Sequence, residues 1–486
     1  MAMATGMQQV LTAAIARAGA SVVAIARVPR DQGFHAGSAL RFNLPGFERP
    51  LLDPQDPDFV PLAFAAGVII SADGDILTCF HALGDPEAND YYVWRDGQGR
   101  LASVQASPDA AEVAAGDPWT DLAVLKIEAE GLPVMPFGDA SALRRGHFVV
   151  ALGNPYAIAR DGQASASLGI VANLQRAATA PEGLSEPPGS PPIETSIHRY
   201  GTLIQTDAKL NVGSSGGALV NLQGEMVGLT TSLAAVAGYE QAAGYAIPID
   251  PAMRAAIDSL RAGKQPSFGF LGIEPLDAPG GGGAVVHRVV PGMPADEAGL
   301  IPGDVIQAVE ATPVRTARGL IREMSRRPAN RATQLVVMRA LPGAEGKGPE
   351  TLTVRLGKKR LATPRPAYQS VPDPRWRGMQ VDFATALPPQ SLLGSRPASR
   401  TDVAVMTVTP DSPAWQAGVR AGQMIASVDG QPISDPAAFY RAVAEQTGTV
   451  PLQMQSASGR PQRLLIGPDA PADSDAPAEP TPPAPP

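Results

Sequence analysis

Three side chains stand out for the chemistry they could do together. The run Gly213-Ser214-Ser215-Gly216-Gly217 sets serine among glycines directly ahead of the apolar Ala218-Leu219-Val220. Small residues on both sides let the backbone turn sharply, present a serine Oγ and point two N–H groups at one spot, where they could hold a developing oxyanion. Alone, the pentapeptide equally fits a plain Gly/Ser turn. His81, one of five histidines in the chain, closes the strand-like run 75–80, and Asp121 opens the run DLAVLKI. A serine hydroxyl needs an imidazole to take its proton, and the imidazole needs a carboxylate to fix its tautomer. The chain order His, Asp, Ser is one of three that convergent serine hydrolases use. Taken singly, His81 reads as a surface histidine at a strand end, and Asp121 as a turn residue at a strand start.

The elements that must position these groups are short strands. Runs at 21–28, 67–80, 121–127, 147–153, 202–207, 217–233 and 244–249 are β-rich, with hairpin turns at Asp73-Gly74 and Gln223-Gly224. Many short strands at this spacing indicate an all-β barrel or sandwich over the first 260 residues. Residues 31–62, 84–118 and 176–199 read as long surface loops, the last containing SEPPGSPP. Met7, Val10, Leu11, Ala14, Ile15 and Ala18 form one apolar face of an N-terminal helix. A further helix spans 251–262. In the C-terminal half, residues 291–314 align without gaps to 410–433, with identities at Gly299/Gly418, Gly303/Gly422 and Ile306/Ile425. A helical pattern follows each copy, at 316–326 and 435–445. Duplication of one small α/β module is the simplest account, since two distant copies do not make a solenoid. The Pro-rich stretch 361–375 reads as a linker and 467–486 as a tail that cannot build a core.

Composition narrows the function. At 486 residues the chain has room for about three domains. Its 44% hydrophobic content supports several cores, and 50 Gly with 50 Pro favour strands joined by many turns. A net charge of −8 makes nucleic acid a poor partner. The single Cys79 excludes an internal disulfide, a Cys-rich zinc site and a CxxC redox pair; packing is its expected role. No HExxH, CxxC or P-loop points to a metal or cofactor, and none is expected. No run reaches the ~18 apolar residues of a membrane span. No Lys or Arg precedes Arg17 and no uninterrupted apolar run follows, so no secretory leader is visible.

The segments GVIISADGDILTCFHAL, DPWTDLAVLKI, PFGDASALRRGHFVVALGNP, IQTDAKLNVGSSGGALVNLQGEMVGL and GYAIPID resemble, in order and spacing, the HtrA (Deg) family of trypsin-like serine proteases with two PDZ domains. The resemblance covers most of the chain. It implies a mainly β fold: a chymotrypsin-like double β-barrel protease domain over 1–262, then two α/β PDZ domains over 263–360 and 376–466. It matches His81 to the general base, Asp121 to the orienting acid, Ser215 to the nucleophile, and the N–H groups of Gly213 and Ser215 to the oxyanion hole. Val212, Ser214 and Ala218 depart from the family's Asn-Pro-Gly-Asn-Ser-Gly-Gly-Pro pattern. It further implies an S1 wall from Lys209, Leu210, Leu229, Thr230 and Thr231. With no acidic residue there, an apolar P1 residue is expected; Lys209 would favour acidic residues only if it turned inward.

In the PDZ-like modules the resemblance matches Phe270, Leu271, Gly272 and Ile273 to a carboxylate-binding loop. Gly378, Met379, Gln380 and Val381, after Arg377, occupy the equivalent place in the second. A glycine there lets successive N–H groups converge on a peptide carboxylate, and the following strand adds the peptide by β-augmentation. The implied activity is ATP-independent cleavage of unfolded or misfolded polypeptides, regulated by protein C-termini at the PDZ modules. The implied setting is a homo-oligomer, a trimer or multiples, in the periplasm or cell envelope, with a cytoplasmic setting left open. The family's trimer contact often uses N-terminal aromatics, and this chain has none before Phe34. A protease-fold chaperone or PDZ adaptor with little hydrolysis is the alternative reading.

Overall fold

A computed structural model describes residues 2–30, 61, 63–95, 109–154, 163–177, 196–231, 243–339, 348–361, 363, 365–388, 403–455 and 461–469. Residues 31–60 and most of 176–199, both expected as loops, lie outside the described residues, as does the tail from 470. The chain forms two compact units: Met1–Val289 with Ala298–Pro372, and Val290–Glu297 with Asp373–Pro486.

Twelve strands build two barrels in the first unit. The first barrel uses β1 (Val22–Pro29), β2 (Ala63–Ile69), β3 (Asp75–Cys79), β4 (Asn89–Trp94), β5 (Asp109–Asp117) and β6 (Leu122–Ile127). Neighbours run β5-β4-β1-β2-β3-β6, and a β5–β6 pairing closes the ring. The second is a closed barrel of β7 (Phe148–Gly153), β8 (Ser165–Arg176), β9 (Leu203–Thr206), β10 (Ala218–Val220), β11 (Met226–Thr231) and β12 (Gly244–Pro248), closed between β10 and β7. The β3, β6, β10 and β11 strands are almost wholly buried. Such strands read as continuous apolar runs because both faces meet packed side chains. Leu77, Cys79, Trp119, Leu122, Leu152, Ala218 and Leu229 share one core that both barrels supply.

Two expectations are corrected here. Residues 84–118 are not one loop, because β4 and β5 lie within them. The β5 segment is rich in Ala, Gly and acidic residues and has little strand propensity of its own; pairing with β4 and β6 makes it a strand. Residues 361–375 are not all linker, since Tyr368–Gln369 pairs with Ala115 and Gly116 of β5.

The N-terminal helix Ala2–Gly19 buries Ala14 and Ala18 and packs Leu11 and Ile15 on the core, while Val10 stays exposed. Pro251–Arg261 is a helix whose N-terminal N–H groups, from Ala252 and Met253, donate to the Asp250 carboxylate. The two repeats fold alike. In the first, strands 273–277, 284–289, 305–309, 332–338 and 350–355 neighbour one another in that order, with the helix Ala317–Ser325 capped by Thr316. In the second, 379–383, 403–408, 424–428, 450–455 and 461–466 repeat the order, with the helix Pro436–Val443 capped by Asp435. Ile306 and Ile425, identical in the repeat, are both fully buried.

Candidate active site

Strand register brings together two residues forty positions apart. β3 and β6 run antiparallel with Cys79 opposite Leu122, so the residues just past these ends, Phe80–His81 and Asp121, are neighbours. Phe80 N–H donates to the Asp121 carbonyl at 2.9 Å, and His81 N–H donates to Asp121 Oδ1 at 2.9 Å. His81 Nδ1 then lies 2.7 Å from Asp121 Oδ2. Asp121 is buried and its backbone sits at φ 57, a left-handed conformation that Asp tolerates. Thr231 Oγ1 approaches the same carboxylate oxygen at 3.5 Å. Burial pulls the His81 pKa down, but the charge and hydrogen bond of Asp121 outweigh it, and the net shift is upward. A carboxylate on Nδ1 leaves Nε2 as the ring atom able to accept a proton from a nucleophile.

Ser215 reaches the same place from the other barrel. The turn 211–217 precedes β10, which is paired on both sides, Ala218 facing Leu152 of β7 and Leu229 of β11. Ser214 N–H donates to the Asn211 carbonyl at 2.9 Å, while Ser214 Oγ accepts from Asn211 N–H at 3.2 Å. Serine at this departure from the family pattern thus makes its own local turn. Gly216 N–H donates to Thr230 O, and Thr230 Oγ1 donates to Ser214 O. Ala66 N–H of β2 donates to Ser215 O at 2.9 Å, a bond that crosses from one barrel to the other. Gly213 has φ 92, and a Cβ there would lie 2.5 Å from both Asn154 O and a Phe64 ring carbon. Only glycine fits that turn.

His81, Ser215, Gly213 and Ser214 line one cleft of about 240 Å³. Phe64, Ala65, Leu210, Asn211, Val212, Thr231, Gly244 and Tyr245 complete much of its wall, and Val212 is 67% exposed. Of the five residues expected in the S1 wall, Leu210 and Thr231 line this cleft. Three do not, which corrects the expectation. Lys209 is exposed outside the lining, Leu229 is in the core, and Thr230 is buried beneath the Ser214 carbonyl. Alternate residues of β11 face opposite sides, so three consecutive ones could not all face the cleft. The described wall carries no Asp or Glu, and Phe64 and Tyr245, from distant strands, were not found from sequence.

Cys79 is fully buried under the site and donates weakly to Thr230 O at 3.4 Å. Burial and then the Asp121 charge push its thiol pKa well up, so it is a packing residue. Its sulfur and ligand atoms of His81 and Asp121 lie within 4.8 Å of one another. The protonated thiol, and a carboxylate already bonded to His81, make that trio a poor metal site.

The two expected carboxylate-binding loops differ. Phe270 pairs with Gly357, Gly272 has φ 82, and Ile273 opens the groove strand 273–277. Two residues on, Pro275 has no N–H to give a peptide. In the second module Gly378 also has φ 82, but two of the following N–H groups are taken. Met379 N–H donates to the Trp376 carbonyl at 3.0 Å and Val381 N–H donates to Tyr440 Oη at 2.9 Å. Tyr440 belongs to the helix that flanks the groove strand, and its hydroxyl donates to Pro374 O. Gln380 is bonded to Asp373. Within Gly378–Val381 the N–H groups of Met379 and Val381 are therefore already bonded inside the module, the second by a tyrosine hydroxyl.

Comparison with known proteins gives three family matches along the chain: a trypsin-like peptidase domain over residues 65–229, a PDZ domain over 269–356 and a PDZ domain over 405–452. The chain is 30% identical over 425 residues to a probable periplasmic serine endoprotease DegP-like of Chlamydia trachomatis, covering 85% of this chain and 76% of that protein. It is 28% identical over 411 residues to the periplasmic serine endoprotease DegP of Salmonella typhimurium, covering 81% and 74%. Among solved structures, the HtrA-type protease AlgW with tripeptide is similar at a TM-score of 0.50 and 26% identity, over 73% of this chain and 98% of that one.

Proposed function

The chain belongs to the DegP-like family of serine endoproteases, and on that premise we propose that His81, Asp121 and Ser215 form its catalytic triad. One observation carries the reading: the His81 Nδ1–Asp121 Oδ2 contact of 2.7 Å opens on a cleft that Ser215 also lines. In the proposed reaction Ser215 Oγ attacks the scissile carbonyl and His81 Nε2 takes its proton, while Asp121 holds the tautomer and stabilises the imidazolium. The oxyanion goes to the N–H groups of Gly213 and Ser215. His81 then returns the proton to the leaving amine, and water repeats the cycle on the acyl-enzyme.

Unfolded or misfolded polypeptides are the proposed substrates, with an apolar P1 residue set against Leu210 and the rim residue Val212. A protein of this kind would work as a homo-oligomer, in trimers or multiples, in the periplasm or cell envelope; the DegP-like relatives are named periplasmic. PDZ control is supported by direct ties in the first unit. Arg322 of the helix Ala317–Ser325 donates to Gly201 O and Gln175 Oε1, both at 3.3 Å. Trp119, two residues before Asp121, has Phe268 on one side at 6.5 Å between ring centroids and Lys359 Nζ 4.9 Å from its own. The chaperone or adaptor alternative draws no support from a site in which the acid and base are already paired.

Casein digestion tests the reading, with and without a serine-reactive phosphonate, beside Ser215→Ala. The parent should digest casein, the phosphonate should label Ser215, and Ser215→Ala should lose roughly 10⁶ in kcat. Near-parental digestion by Ser215→Ala would remove Ser215 as nucleophile.

A further inference from the structure

We propose that His198 is a positioning residue for the catalytic pair, its imidazole pinning the peptide plane that sets the direction of the Asp121 side chain. The proposal rests on the triad reading above. Asp121 holds φ 57, a left-handed conformation that Asp can adopt but that its surroundings must select over the ordinary ones. That angle is the rotation between the Thr120–Asp121 peptide plane and the rest of Asp121. Whatever fixes the plane therefore aims the carboxylate at His81.

Several bonds hold the turn before Asp121. Asp117, fully buried, accepts from Trp119 N–H at 3.3 Å, Thr120 N–H at 3.0 Å and Thr120 Oγ1 at 2.6 Å. The Trp119 carbonyl accepts from Ile197 N–H at 2.9 Å and from Ser196 Oγ at 3.1 Å. None of these touches the carbonyl of the plane in question. His198 does: its Nε2 lies 2.8 Å from Thr120 O.

A carbonyl can only accept, so Nε2 must carry the proton, and Nδ1 accepts from Thr202 Oγ1 at 2.5 Å. The ring is fully buried, and burial lowers its pKa, so it stays neutral in one tautomer. A histidine that only filled space would need neither partner. This one spends both nitrogens, one on the Asp121 turn and one on the hydroxyl that selects its tautomer.

The test uses the full chain with His198→Phe, His198→Gln and Thr202→Val. Phe keeps the bulk and loses the donor, Gln restores an N–H donor, and Val removes the hydroxyl that fixes the tautomer. Two readouts are taken: kcat and KM on a short chromogenic peptide, and the titration of His81 by NMR with labelled histidine in the Ser215→Ala background. His198→Phe should lower kcat by roughly 10-fold and leave KM within about twofold, the scale of one buried hydrogen bond. It should also move the His81 titration to lower pH, because a misdirected Asp121 no longer raises it. His198→Gln should return most of both, and Thr202→Val should shift both in the direction of Phe by less. A folded His198→Phe protein with parental kcat overturns the proposal. So does one that loses activity while His81 titrates unchanged, since that marks a purely structural role. If His198→Phe does not fold, Thr202→Val decides by the same readouts. The His81 titration needs no turnover, so a parent that hydrolyses nothing would defeat the protease reading and leave this test standing.

Discussion

Gly213→Ala is the sharpest probe of the nucleophile turn, because its effect can be worked from the atoms an added Cβ would meet. A left-handed φ of 92 costs an alanine ~1–2 kcal/mol before any contact is counted. The new Cβ would also sit 2.5 Å from Asn154 O and 2.5 and 2.6 Å from two Phe64 ring carbons. Comfortable separations are about 3.5 Å, so something must retreat by about 1 Å. Phe64 is a half-buried side chain and can swing, but Asn154 O is backbone of a buried residue and cannot. The Gly213 turn therefore moves. A donor displaced by about 1 Å from a bond near 2.9 Å no longer makes that bond. Losing one oxyanion donor should lower kcat by roughly 10²–10³, with KM little changed. Gly146→Ala is the control: φ there is 90, yet nothing lies within 4 Å of the added Cβ. Both variants should melt a few degrees low, at ~2–4 °C per kcal/mol for a domain this size. Only Gly213→Ala should lose activity. The assay is kcat and KM on a peptide p-nitroanilide, normalised to phosphonate-labelled sites. If Gly213→Ala keeps kcat within about threefold of Gly146→Ala, the oxyanion assignment at this turn is refuted.

Four further outcomes follow from the geometry. Because His81 works as a base only when neutral and its pKa is raised, the acid limb of kcat/KM should lie above the ordinary ~6.5 and activity should rise through it. Asp121→Asn should drop kcat by about 10⁴ and move that limb to lower pH; an unchanged limb would separate Asp121 from His81. A C-terminal peptide titrated onto the full chain should saturate at one site per chain and be lost in Gly272→Val, because Met379 and Val381 N–H are already taken in the second module. A stoichiometry of two contradicts that. Arg377→Ala should destabilise the second module by about 2–4 kcal/mol, since the buried guanidinium donates to Ile466 O, Gln446 O and Gly448 O. Denaturant unfolding followed by the fluorescence of Trp376, which lies 4.5 Å under that guanidinium, checks it.

The candidate triad was legible in the sequence for local reasons. Ser215 lies in a glycine-flanked turn, and His81 and Asp121 abut apolar runs, so the three together narrow a reading that none of them carries alone. The repeat was legible too, because equivalent turns and the buried Ile306 and Ile425 recur at fixed spacing. Chemistry carried on short segments survives without knowledge of the fold. What only the tertiary structure decided depends on register and on which face a strand presents. Antiparallel pairing of Cys79 with Leu122 brings His81 to Asp121, but no pattern in either strand states that register. The alternation of β11 turns Thr231 to the cleft and Thr230 beneath Ser214, a distinction that the consecutive Leu229, Thr230 and Thr231 do not carry in their sequence. β5 became a strand against its own composition, because closing the barrel supplied partners on both sides. Tyr440 and His198 were silent in the sequence for the same reason. A hydroxyl or an imidazole declares its role only through the atom it reaches, Val381 N–H in one case and Thr120 O in the other, and those atoms come from strands and turns far away along the chain.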